Sequence, residues 1–180
     1  QLSVAEIGVI YSALGVVSIL ANYNDLGLTE ALQFFIPKYR SQKKLNEIKT
    51  IRVFTLLAQL ASGILIGAGL RFSADRLATR YFKTPIAVPV LKIFALYFLG
   101  LNFLQAFQSG LRSFQKIAES RAIEAIRMLS ILILTGFFRF SETLTISRAT
   151  AVRVIGVALA ASAGAFFSHK FFAKLRKKSR

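Results

Sequence analysis

Runs of roughly 20 residues with almost no charge, set between blocks of lysine and arginine, constrain this chain more than any other feature of its sequence. A helix needs about that length to cross about 30 Å of hydrocarbon, and only helices and closed barrels satisfy their own backbone hydrogen bonds there. The chain has 180 residues and is 54% hydrophobic, yet it carries Lys+Arg 24 against Asp+Glu 8, a formal net charge of +16. A nucleic-acid-binding domain would spread such charge over an exposed face. Here the charge is gathered between apolar stretches, which excludes an ordinary soluble domain and a nucleic-acid partner. The sequence reads as an all-α, polytopic transmembrane helix bundle with membrane lipids as its surroundings.

Five spans are expected, over about 8–36, 51–70, 86–111, 123–141 and 149–167, with 168–180 as a basic tail. The first is longer than a crossing requires, so it tilts or projects. The second is the cleanest. The segment RFSADRLATRYFKTP, 71–85, reads as an interfacial connector. The fourth is the weakest, because only Met128 to Phe138 is continuously apolar-rich. Basic residues alternate between the two sides. One side holds Lys43, Lys44, Arg121 and the tail, with more than twice as many Lys and Arg as the other. By the positive-inside rule that side is cytoplasmic, so a cell-membrane location is expected with the C-terminus inside and Gln1 outside. The chain starts at Gln1 and its only methionine is Met128, so a fragment or processed chain is expected. Residues Gln1 to Glu6 lack the basic start and small-residue cleavage site of a signal peptide.

With no cysteine and one histidine, the chain lacks the ligands for disulfides, thiolate catalysis or zinc clusters. His169, beside Lys170 at the end of a span, reads as an interfacial side chain. No Walker loop, HExxH, Gly-rich dinucleotide turn or pair of catalytic carboxylates is present, so no enzyme activity, cofactor or metal centre is expected.

The chemistry resides in polar groups inside the spans. Gly8, Tyr11, Gly15, Ser18, Asn22, Asp25, Thr29 and Gln33 recur at steps of three and four and share one helical face. A carboxylate near mid-membrane costs about 3 kcal/mol on insertion scales and persists where it meets protein or water. Asp25 is therefore expected to face the bundle. It either caps a break in the helix at Gly27 with Asn22 and Asn24, or serves a transport or ion-coupling role. Glu30 falls off this face and is expected in a salt bridge near the interface. On the third span, Asn102, Gln105 and Ser109 share a stripe. Lys92, nearer the outer end, either snorkels outward or enters a cavity where it attracts an anionic headgroup or pairs with Asp25. The candidate substrate or ion pathway is Asn22, Asp25, Lys92, Asn102 and Gln105. Gly63 and Gly67, and again Gly156, Ala160 and Gly164, form small-residue faces for close helix packing.

The opening segment LSVAEIGVIYSALGVVSILANYNDLGLTEALQFFIPKYR resembles the second helix and following basic loop of the oligosaccharide or polysaccharide flippase family, within the multidrug and oligosaccharidyl-lipid exporter superfamily. The resembling pattern is Glu6 and Gly8, a long apolar run, D-L-G-L at Asp25 to Leu28, and a basic P-K-Y-R. The resemblance implies about 12–14 helices in two lobes around a central cavity, with this chain as helices two to six of the first lobe. It further implies alternating access, a lipid-linked saccharide substrate whose diphosphate meets cationic groups, and the remaining helices of a full-length transporter as partners. Three other readings stay open: a cation-coupled multidrug extruder of the same superfamily, a membrane-embedded lipid-processing enzyme, for which Asp75 in SADR is the acidic candidate, and a non-transporting assembly protein.

Overall fold

The computed structural model describes the backbone of residues 2–25 and 27–178, and side chains through residue 170. Most of the expected basic tail thus lies outside the described side chains. The elements are all helical: α1 Val4–Asn24, α2 Leu28–Ser41, α3 Leu45–Arg80, α4 Ala87–Ser113, α5 Ile117–Phe140 and α6 Ile146–Lys178. A capping box starts α1, where the Ser3 hydroxyl accepts from the Glu6 N–H at 3.2 Å and the Glu6 carboxylate accepts from the Ser3 N–H at 2.8 Å.

Two expected boundaries are corrected. The span expected over 8–36 is two helices, because α1 stops at Asn24 and Gly27 turns the chain at φ 76 before α2 begins. The left-handed region is open to glycine at little cost, and a helix cannot pass through it. The expected connector 71–85 is instead helical as far as Arg80, continuing α3 without a break over 36 residues. At 1.5 Å per residue α3 is about 54 Å long, so it tilts or projects beyond the hydrocarbon.

The helices run up and down. Ile10 of α1 packs in one apolar cluster with Ala74 and Ala78 near the end of α3 and with Val90 near the start of α4. Leu32 and Ile36 of α2 meet Ile48 and Phe114 at the other end. α4 and α6 are parallel, since Gly100 faces Val157 and Phe107 faces Gly164. The chain between them must return the full height of the bundle, and α5 does so. Among the described residues, four helices are long and apolar enough to cross a membrane: α1, α3, α4 and α6 as far as Lys170. α5 carries more charge per residue than these four, and two of its charged residues are turned inward, with Arg127 ion-paired to Glu124 and donating to the Tyr97 hydroxyl at 3.3 Å.

α4 is the central column. Leu91, Phe94 and Phe98 are fully enclosed by the helices around it. The small-residue faces pack as expected. A Cβ on Gly67 would lie 3.2 Å from the Ala95 carbonyl oxygen, and one on Gly156 would lie 2.7 Å from Ile131. Contacts this close exclude any larger side chain without a shift of the partner.

Candidate functional site

The break between α1 and α2 places polar side chains at mid-height of α3 and α4. The Asp25 carboxylate accepts three hydrogen bonds: from the Thr29 hydroxyl at 2.6 Å, the Thr29 N–H at 3.3 Å and the Gln59 amide at 3.1 Å. Two of these tie down the exposed N–H end of α2, where a negative charge is favourable. Beside it, the buried Asn24 amide donates to Asn102, whose own amide donates to the Phe98 carbonyl at 2.8 Å. Asn102 fits there because Gly63 stands opposite, and a Cβ on Gly63 would come within 3.2 Å of the Asn102 amide nitrogen. Two buried acceptors in this layer, Asn24 Oδ1 and Gln59 Oε1, have no hydrogen-bond partner among the described residues.

From this layer a pocket of about 300 Å³ opens between the α1–α2 break and the second half of α4. Asn22, Asp25, Thr29 and Glu30 line one side, and Gln105, Gln108 and Arg112 line the other. The α4 wall is braced from α5. Gln108 donates to Glu124 at 3.3 Å, and Arg112 donates to Gln108 at 3.3 Å and to Ser120 at 3.1 Å. The pocket thus combines two carboxylates, one guanidinium, amides and hydroxyls on a fixed frame.

Of the expected site residues, Asn22, Asp25 and Gln105 line this pocket, and Asn102 sits in the hydrogen-bonded layer next to it. Lys92 does not join them. Its ammonium pairs with Asp75 at 3.4 Å near the other end of α4, with the Lys92 side chain half-buried and that of Asp75 exposed. It therefore meets neither Asp25 nor the pocket, and Asp75 is committed to this pair. Glu30 is also corrected. The break at Gly27 turns α2 so that Glu30 lines the same pocket as Asp25, and no salt bridge holds it among the described residues.

The stripe expected to carry Asp25 into the bundle behaves differently above the break. α1 buries Ile10, Ala13, Val17, Ala21 and Asn24, while Tyr11, Gly15, Ser18 and Asn22 are exposed. The polar stripe runs along the outer face of α1 and meets the pocket at Asn22. Sequence reasoning missed Gln59, Gln108, Arg112 and Glu124 as members of the site. The available signal was Gln59, the one amide within the span expected over 51–70.

The chain is similar to an uncharacterized membrane protein of Methanocaldococcus jannaschii, with 25% identity over 142 residues. The match covers 74% of this chain and 28% of that relative, so the chain spans less than a third of the relative's length. No family model matches the chain, and no solved structure matches it significantly. Its apolar helices and this relative make it a multi-pass helical membrane protein.

Proposed function

We propose that the chain forms part of an alternating-access exporter in the cell membrane that moves lipid-linked oligosaccharide or polysaccharide precursors. The observation that carries this reading is the polar pocket between the α1–α2 break and the second half of α4, next to a layer that holds two unsatisfied buried acceptors. Polar groups inside a membrane are costly unless they meet protein partners, water or a ligand. Discontinuous membrane helices with polar groups at the break are a recurrent way to build a transport site. A saccharide offers hydroxyl donors to Asp25 and Glu30, the two carboxylates that line the pocket. Its phosphate suits the forked guanidinium of Arg112. The lipid tail stays in the bilayer, and the polar outer stripe of α1 extends the path toward the remaining helices of the transporter. The resemblance of the D-L-G-L segment to flippases supports the same reading.

A second reading, the cation-coupled multidrug extruder, is favoured by one observation: Asp25 and Glu30 put two carboxylates in the pocket. The full-length transporter containing this chain, purified into liposomes, separates the two. Translocation of a fluorescent lipid-linked oligosaccharide above the protein-free rate is expected. Asp25→Asn should slow it about tenfold or more at equal incorporation, the scale of one charge-assisted hydrogen bond, whereas Lys92→Gln should leave it nearly unchanged. Translocation no faster than in protein-free vesicles would refute the flippase reading. Movement of an organic cation in its place would establish the extruder.

A further inference from the structure

α4 carries two faces of opposite chemistry. Gln105, Gln108 and Arg112 line the pocket described above. About half a turn around the helix, Leu96, Phe103 and Phe107 form the floor of a second depression of about 630 Å³. Its walls are Leu60 and Ile64 of α3 and the alanines 158, 161 and 165 of α6. Toward the α2–α3 turn, Phe107 also borders a smaller cavity of about 120 Å³, where the lining changes to Lys49, Arg52 and Thr55. Lys49, Arg52, Leu56, Leu60 and Ile64 follow one stripe of α3 at steps of three and four. The two depressions therefore form one groove, basic at one end and apolar along the rest. Arg52 to Ile64 covers about 18 Å of helix, close to the roughly 15 Å depth of one leaflet.

We propose that this groove binds an anionic phospholipid of the surrounding bilayer, with its phosphate at Lys49 and Arg52 and one acyl chain along Leu60, Ile64 and Phe103. Charge complementarity specifies the headgroup, since an ammonium and a guanidinium flank the end of the trough and guanidinium matches phosphate with two parallel hydrogen bonds. Position specifies the source. The trough lies on the side of α4 away from the polar pocket, and α3, α4 and α6 are each apolar and long enough to cross a membrane. Among the described residues α3 and α6 pack on α4 and not on each other, so an acyl chain between them fills a wedge and braces both. This assignment stands apart from the transport reading.

The chain contains no tryptophan, so added ones report locally. Ile64→Trp places a reporter on one wall of the trough, and Leu96→Trp gives a second on its floor in case bulk at 64 displaces the chain. Leu132→Trp, on the exposed apolar face of α5, reports ordinary bilayer contact. The protein is reconstituted in phosphatidylcholine vesicles containing a small fraction of brominated-chain phosphatidylglycerol or brominated-chain phosphatidylcholine. Quenching of the emission gained over the parent protein is then measured. At 64 or 96 the anionic lipid should quench about fivefold more effectively or better, the factor that one basic residue contributes near a membrane surface. At 132 the two lipids should quench alike. Lys49→Gln, at an exposed position, should lower the preference about fivefold, and Arg52→Lys should keep most of it. Equal quenching by both lipids at 64 and 96 overturns the proposal. So does a preference untouched by both Lys49→Gln and Arg52→Gln. Displacement of the brominated phosphatidylglycerol by an equal amount of polyprenyl phosphate would also overturn it, by assigning the groove to a lipid-linked substrate.

Discussion

Asn24, Asn102 and Gly63 form a buried contact across three helices, and they act as a unit. The Asn24–Asn102 hydrogen bond exists only because the missing side chain at Gly63 admits Asn102. Interhelical hydrogen bonds in membranes contribute about 0.6–2 kcal/mol. Asn24→Ala and Asn102→Ala are each expected to lower stability by about that much in detergent unfolding, with a double mutant well short of additive. Gly63→Ala should cost about 1–3 kcal/mol through overpacking, and less once Asn102 is alanine. Additive effects would mean that the three do not share one contact. Asn102 was legible in the sequence as an amide inside an apolar run. Its partner was not, because Asn24 reads equally well as a local cap. The pairing depends on a glycine of a third helix.

At the scale of helices, hydropathy located the apolar spans but merged α1 with α2, and it could not say which side of α1 packs. In water the apolar side is buried, whereas in lipid both sides of α1 are acceptable and the choice falls to close fit. α1 buries the Ala13, Val17 and Ala21 face and leaves the polar stripe outside. The helix ends were equally hard to read, since the turns after α2, α3, α4 and α5 use Lys43, Lys83, Gln115 and Glu142 at positive φ and carry no glycine as a marker. Gly27 is the exception, and it is testable. No atom would touch a Cβ added there, so the cost of Gly27→Ala is purely conformational, about 1–2 kcal/mol, and it should appear as lost stability together with lost Asp25-dependent function. α5 provides a second test. Glu124→Gln or Arg127→Gln alone strands a partly buried charge and is expected to cost about 1.5–3 kcal/mol. The double substitution should recover much of that loss, as a thermal unfolding cycle would show.

For the whole molecule, the all-helical bundle was plain from the spacing of apolar and basic blocks, and three of the five expected site residues do line one pocket. Lys92 was misread because position along a span does not reveal a partner on the neighbouring helix. Asp75, in what read as a connector, is held near it by the unbroken α3. Glu30 was misread because a helical wheel continues through a break that the backbone does not. Both errors came from treating each span as a regular, isolated helix. What emerges is a polar pocket among the helices, placed by the break at Gly27 and walled by the second half of α4. The most direct test is its contact with water. The chain has no cysteine, so Asn22→Cys, Gln105→Cys and Leu132→Cys can each be probed with a membrane-impermeant thiol reagent added to both faces of sealed vesicles. Cysteines at 22 and 105 should react, while the lipid-facing cysteine at 132 should not. If Gln105→Cys reacts no faster than Leu132→Cys, there is no water-reachable pocket at the break, and the transport site is not there.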